Sequence, residues 1–302
     1  MILALAGPSA SGKTAIALEL AERFGAEIVC ADSMTVYRGM DVGTAKPSAA
    51  ERARVAHHLL DVADPGEPFS VARYQRLARE VIARIRDNGR VPFVVGGSGL
   101  YFRAAADDLE FPPADPKIRA RIEREDLGVL AVRLKEADPE AAAFVDPANK
   151  RRVVRALEVI EITGRPFSSF RDAWGRYGEV VVAGLDVPRD VLERRVEARL
   201  RGMLAAGLLD EVRALLASGF RDAVTARRAI GYAEAVAVID GEIGEDELVR
   251  RATRATLKLA RRQMSWFRRD PRVVWFDATE LRRAAAQVGA YYDGHVPSRS
   301  EG

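Results

Sequence analysis

The sequence predicts an α/β protein, a P-loop NTPase-like doubly wound parallel sheet carrying an inserted all-helical segment. Three observations predict it. A short apolar strand, a glycine turn and an amphipathic helix follow one another at the start of the chain. A second strand, glycine turn and helix unit recurs near Gly96. From about Glu110 to Gly178 no strand pattern occurs, and strand-like runs resume beyond it. Alternation of this kind builds a parallel sheet covered by helices on both faces.

The elements follow in order. Ile2 to Ala6 is a continuous apolar run, the pattern of a strand buried on both faces. Gly7-Pro8-Ser9-Ala10-Ser11-Gly12-Lys13-Thr14 comes next and satisfies G-x-x-x-x-G-K-[ST] at every fixed position. Ala15 to Phe24 then shows helical spacing. Gly7 and Gly12 permit backbone turns that a Cβ forbids, so successive N–H groups converge on an anion at the positive end of the helix. Lys13 adds a point charge and Thr14 a hydroxyl suited to Mg²⁺. Gly7, Ser9, Ala10, Ser11, Gly12, Lys13 and Thr14 are therefore the candidate phosphate ligands. The motif leaves open whether the phosphates belong to a nucleotide or to another diphosphate.

Glu27 to Cys30 reads as a second strand, ending at Asp32. Ligand crevices of open parallel sheets lie at the carboxyl ends of strands, so Asp32 should face the phosphate loop. Position alone leaves three roles open for it: a Mg²⁺ ligand, a proton acceptor, or a cap on the next turn. Val71 to Asp87 is an amphipathic helix ended by Asn88-Gly89. Val91 to Val95 is another buried strand, and Gly96-Gly97-Ser98-Gly99 opens a helix, which sets Ser98 beside the same crevice. Glu179 to Val187 and Val273 to Phe276 complete a sheet of about five strands. The expected domains are a core, 1–109 with 179–302, and a helical insertion, 110–178.

Composition narrows the function classes. The chain has 302 residues, 48% hydrophobic and 30% charged, which excludes a wholly disordered chain or a fibre. The single Cys30 allows no internal disulfide and no cysteine zinc finger, and suits a reducing compartment. Three histidines make a histidine-built metal site unexpected. The first residues lack a basic leader, and no run reaches the roughly 18 apolar residues of a membrane span, so a cytoplasmic protein is expected.

Charge is informative by position. Lys+Arg total 47 against 44 Asp+Glu, a net of +3, and only six of the 47 are lysines. The arginine bias reflects either a GC-rich genome or phosphate-rich partners suited to a guanidinium fork. The insertion between 110 and 175 is neutral, with twelve charges of each sign, yet Lys150, Arg151, Arg152 and Arg155 cluster within it. From Arg250 to Arg269 eight cations occur with no acid. Trp266 and Phe267 end that stretch, and they are either base-stacking rings or the core face of a helix.

These motifs together resemble the bacterial tRNA dimethylallyltransferase (IPP transferase) family. The resemblance rests on residues 7–14, Asp32-Ser33-Met34, the run Val36 to Pro47, His57 to Val62, Val95 to Tyr101, Arg155 to Glu158, Ile230-Gly231-Tyr232 and Arg262 to Phe267. It covers nearly the whole chain, and the run Tyr37-Arg38-Gly39-Met40-Asp41-Val42-Gly43-Thr44-Ala45-Lys46-Pro47 is its most specific part.

The resemblance implies transfer of a dimethylallyl group from dimethylallyl diphosphate to the N6 amine of the adenosine just 3′ of a tRNA anticodon, with release of pyrophosphate. It implies that the phosphate loop and Arg228 hold the diphosphate, with Mg²⁺ at Thr14. It makes Asp32 the acceptor of the amine proton and gives Ser98 a hydrogen bond that positions the base. It implies tRNA contacts from Asp32, Ser33, Met34, Thr35, Ser98, Arg119, Arg151, Arg152, Arg155, Arg261, Arg262, Gln263, Trp266 and Arg268. The insertion becomes a tRNA-clamping domain on the anticodon stem-loop of a monomeric enzyme. Three positions depart from the family: Ser98 where Thr is usual, Thr35 where Gln is common, and Leu257-Lys258 in place of Arg-Gln. His57-His58 is better read as structural than as metal-binding. Competing readings are a P-loop small-molecule kinase, a prenyltransferase acting on free adenine nucleotides, and a non-enzymatic RNA-binding regulator.

Overall fold

A computed structural model describes residues 1–171 and 175–296. The chain divides into two compact units, one of residues 1–106 with the segment from Glu179 onward, the other of residues 107–178.

The larger unit is built on six parallel strands, β1 (Ile2–Ala6), β2 (Ala26–Cys30), β3 (His57–His58), β4 (Val91–Gly96), β5 (Val180–Asp186) and β6 (Val273–Asp277), in the order β3-β2-β4-β1-β5-β6. The sequence suggested about five. The added strand, β3, is only two residues long and pairs with Ile28 and Val29, too short to show a strand period. Its histidines are tied to the scaffold: His57 Nδ1 lies 2.8 Å from Val55 O and His58 Nε2 2.7 Å from Glu27 Oε2. Leu3 to Ala6 on β1 are wholly buried, as an inner strand between β4 and β5 requires.

Helices cover the sheet: α1 (Lys13–Phe24), α2 (Ala49–Arg54), α3 (Val71–Asp87) and α4 (Gly99–Ala106) before residue 107. Helix α1 begins two residues before the periodicity suggests, because Gly12 at φ 92° turns the chain directly into it. Helix α3 is capped by the Ser70 side chain, which accepts from Arg73 N–H. No described helix is long and apolar enough to cross a membrane.

One close approach positions the site. A Cβ on Gly96 would overlap the Ala31 carbonyl, so β2 and β4 meet at their carboxyl ends only because Gly96 has no side chain. Ala31 N–H donates to Val95 O at 2.8 Å, and Ser98 N–H donates to Ala31 O at 3.4 Å. Asp32 and Ser98 are thereby tethered to the same residue.

The smaller unit contains α5 (Pro116–Ile122), α6 (Leu127–Ala137), α7 (Pro139–Phe144) and α8 (Lys150–Thr163), with a 3₁₀ turn at Phe167–Phe170. Its core gathers Ile122, Leu130, Leu134, Val153 and Leu157. A second, polar centre is Glu158, whose side chain has no solvent exposure. It receives Arg119 Nη2 at 2.8 Å, Arg155 Nη1 at 2.8 Å and Asp115 N–H at 2.8 Å.

The second half of the larger unit supplies α9 (Arg189–Ala205), α10 (Leu208–Ala217), α11 (Tyr232–Ile239), α12 (Glu245–Phe267) and α13 (Leu281–Asp293). Helix α12 corrects the reading of eight unopposed cations. It starts at Glu245, and Glu247 accepts from Arg250 at 2.7 Å and Arg251 at 2.7 Å, with Arg254 at 3.9 Å. The acid lies just outside the acid-free run, one helical turn from its partners. Arg268 is likewise 3.5 Å from Asp186. Lys258, Arg261, Arg262 and Arg269 remain exposed, with no ion pair among the described residues.

Candidate active site

The phosphate loop is shaped by two left-handed residues, Ala10 at φ 64° and Gly12 at φ 92°. Ser11 N–H donates to Pro8 O at 3.2 Å and closes the turn. A Cβ on Gly7 would stand 3.0 Å from Ser11 Oγ and 3.1 Å from Leu185 Cβ, so the loop starts hard against β5. Leu281 of α13 fills the space a Gly12 side chain would need. Lys13 arches back over the loop and donates from Nζ to Pro8 O at 2.6 Å. Its residue is half-buried but its ammonium is enclosed, and burial first, then the nearby Arg199 charge, lower it to about 7 against the opposing pull of Asp32. Thr14 follows on α1 with its side chain exposed to the pocket.

Gln263 and Arg199 reach this loop from far along the chain. Gln263, buried on α12, accepts from Ser9 N–H at 3.0 Å through Oε1. Its other end packs over Gly97, where a Cβ would come within 2.5 Å of Nε2. The residue expected on tRNA thus joins the phosphate loop to the second glycine turn. Arg199 on α9 lines the pocket and donates to Thr44 O at 3.5 Å. Arg228, the arginine expected on pyrophosphate, ends the 3₁₀ turn Ala226–Arg228, is exposed and does not line the pocket. Backbone bonds, Arg228 N–H to Thr225 O and Ala229 N–H to Ala226 O, hold that turn.

Asp32 faces the loop across the pocket. Its Oδ1 accepts from Met34 N–H at 2.7 Å and Thr35 N–H at 3.3 Å, so it does cap the next turn. Oδ2 has no hydrogen-bond partner among the described residues. Thr35 is buried and lines the same pocket, and its hydroxyl is also without a partner. A buried orphan hydroxyl costs free energy unless a ligand satisfies it. Apolar side chains also line the pocket, among them Ala17, Ile28, Leu60, Val95 and Pro47.

The signature run from Tyr37 to Pro47 is anchored by Lys46, whose buried ammonium donates to Tyr37 O at 2.5 Å, Asp41 Oδ1 at 2.6 Å and Asp61 Oδ1 at 2.5 Å. Arg52 holds the other Asp61 oxygen at 3.0 Å. Thr44, Ala45 and Pro47 of this run line the pocket.

The expected nucleic-acid residues divide into two sets. Phe267 is core, 2% exposed and edge-on to Phe102 at 5.3 Å, which excludes it as a stacking platform. Trp266 is 40% exposed and packs its ring over Gly99, where a Cβ would meet it at 2.6 Å. Ser33, Met34 and Ser98 are half-buried near Asp32. Within the smaller unit Arg119 and Arg155 are occupied by Glu158, and Arg155 also donates to Pro112 O at 2.7 Å. Arg151 and Arg152 on α8 are exposed and have no ion pair among the described residues.

Comparison with known proteins gives the family. The IPP transferase family model matches residues 35–270. The tRNA dimethylallyltransferase of Streptomyces coelicolor is 52% identical over 296 residues, covering 95% of each chain. The crystal structure of the tRNA isopentenylpyrophosphate transferase from Bacillus halodurans is 39% identical, covers 97% of this chain and 95% of its own, and superposes with a TM-score of 0.71. A eukaryotic dimethylallyltransferase acting on tRNA shares the fold at 23% identity with a TM-score of 0.84, covering 99% of this chain and 81% of its own. A match that takes in the signature run, α8 and α12 alike leaves no alternative family to weigh: this chain belongs to the IPP transferases.

Proposed function

We propose that the protein transfers a dimethylallyl group from dimethylallyl diphosphate to the N6 amine of the adenosine just 3′ of a tRNA anticodon, releasing pyrophosphate. The observation that carries this reading is one pocket whose lining combines the cations Lys13 and Arg199, the apolar side chains Ile28, Leu60 and Pro47, and Asp32, whose Oδ2 has no hydrogen-bond partner among the described residues.

The loop N–H groups and the Lys13 and Arg199 cations bind the diphosphate and stabilise it as it leaves with the C–O bonding pair. The alkyl group lies on Ile28, Leu60 and Pro47. N6 forms the new bond to carbon, and its proton passes to Asp32 Oδ2. The amine lone pair is conjugated into the ring, so proton removal by a positioned carboxylate lowers the barrier, typically by a factor of about 10² to 10⁴. The orphan hydroxyl of Thr35 in the pocket lining supports a hydrogen bond to the incoming base, and we give Ser98 the same role from beside the pocket; the base must leave its stack to reach this depth.

The residues suit Mg²⁺, which keeps several waters and binds through one or two protein oxygens plus substrate phosphates. Thr14 lines the pocket and would hold it through its hydroxyl. When bound, the ion supplies charge neutralisation on the diphosphate. We place tRNA phosphates on Arg151 and Arg152 of α8 and on Arg261 and Arg262 of α12, and the 107–178 unit as the clamp on the anticodon stem-loop. The enzyme acts as a monomer in the cytoplasm, where its tRNA substrate is found.

Radiolabelled dimethylallyl diphosphate, purified protein and tRNA decide the matter. Label in tRNA with release of pyrophosphate is expected. Preferential labelling of free AMP, or ATP-dependent phosphorylation of a metabolite without labelled tRNA, would overturn the assignment.

A further inference from the structure

Behind the pocket wall lies a second anion-binding arrangement, filled by the protein itself. The N–H groups of Asp41, Val42 and Gly43 converge on the Glu211 carboxylate of α10: Asp41 N and Val42 N donate to Oε2 at 2.7 and 2.6 Å, and Gly43 N donates to Oε1 at 3.1 Å. Three successive N–H groups on one anion form a nest of the kind that binds phosphate elsewhere. Tyr232, the first residue of α11, donates its hydroxyl to Glu211 Oε1 at 2.6 Å. Its ring lies over Gly43, where a Cβ would come within 2.5 Å of Cε2, so only glycine lets ring and loop meet. Tyr232 is fully buried, and burial, then its bond to Glu211, pushes its hydroxyl well above the usual range, so it stays a donor.

The next residue along the loop is Thr44, whose carbonyl accepts from the Arg199 guanidinium. Glu211 fixes 41–43, the chain carries that order one residue on, and Thr44 meets the arginine standing beside Lys13. Helices α9, α10 and α11 come from the second half of the unit, whereas the loop comes from the first. Glu211 joins both through three charge-assisted bonds, and Arg199 adds a fourth to Thr44.

We propose that Glu211, with Tyr232, is a positioning residue for diphosphate binding: it sets the Thr44 wall so that Arg199 is aimed at the phosphate loop. The assignment of Arg199 to the diphosphate rests on the proposed function above. The link from Glu211 to Arg199 rests on geometry alone.

The experiment is a double-mutant cycle on pyrophosphate binding, measured by titration calorimetry with Mg²⁺ present, alongside thermal unfolding. Arg199→Ala should weaken binding by about tenfold or more, the loss expected for a charge-assisted hydrogen bond. Glu211→Ala should weaken it similarly, and the double variant should be no weaker than either single one, because both act through one guanidinium. Parent-like affinity in Glu211→Ala, or losses that multiply in the double variant, overturns the proposal. If Glu211→Ala does not fold, Tyr232→Phe replaces it in the same cycle, with a smaller loss but the same non-additivity expected. A parent that binds pyrophosphate without prenylating tRNA defeats the functional reading and leaves this link standing. A parent that prenylates tRNA while the losses multiply defeats only the link.

Discussion

Asp32 divides its two oxygens between two tasks, and the division gives a clean substitution. Oδ1 caps the turn to Met34 and Thr35, while Oδ2 has no partner among the described residues. Asp32→Asn keeps an oxygen for the cap and removes the base. Transfer should slow by about 10² to 10⁴ with melting temperature and tRNA affinity unchanged; a near-normal rate removes Asp32 from proton transfer. Lys13 supplies a pH test. At about 7 in the free protein, it must take up a proton when a diphosphate arrives, so the cation is present below that pH and is lost as pH rises through it. Pyrophosphate affinity of the parent should therefore fall above pH 7 by up to about tenfold per unit relative to Lys13→Arg, whose guanidinium stays charged. Calorimetry of the two proteins across pH 6 to 9, which cancels the ligand's own titration, would detect parallel curves if the idea is wrong.

At the scale of elements, cationic helices are not uniform RNA-binding surfaces. On α12 the turn near Glu247 is self-neutralised, and the turn at Arg261 and Arg262 is not. Arg261→Ala and Arg262→Ala should each reduce the slope of log tRNA affinity against log salt by about 0.9, one phosphate's worth, whereas Arg250→Ala should leave it unchanged. Helix α8 divides the same way. Arg152→Ala should lower the salt slope at unchanged stability, while Arg155→Ala strips one of two arginines from the buried Glu158 and should cost about 1–3 kcal/mol in unfolding by denaturant. Equal salt slopes for Arg152→Ala and Arg155→Ala would make the pairing with Glu158 irrelevant to recognition. The sequence marked both basic clusters but could not separate their paired from their unpaired arginines, because ion pairing depends on which carboxylate lies a turn away or across the unit. Glu247 is just outside the acid-free run, and Arg119 meets Glu158 from another helix.

For the whole molecule, the site depends on strand ends meeting closely. Gly96→Ala would drive β4 away from Ala31 and separate Asp32 from Ser98; the expected cost is about 1–3 kcal/mol in thermal unfolding, with transfer falling further than stability explains. An unchanged rate in a folded Gly96→Ala protein would show that this spacing is not required.

Local chemistry was enough to read much of this protein from its sequence. Strand, glycine turn and helix in succession fixed the loop at residues 7–14, period and burial pattern marked β1, β4 and α3, and Asp32 followed from its place at a strand end. Those features repeat within a few residues, where backbone geometry and side-chain period leave a trace. Tertiary structure alone decided the rest. Arg199 and Glu211 have no local signature, and Gln263, marked by its motif as a tRNA contact, has its phosphate-loop partner only in the fold, since each acts on a loop more than 150 residues earlier in the chain. The parallel sheet brings these distant segments together at its carboxyl end, and only there do a carboxamide, a guanidinium and a carboxylate acquire their partners.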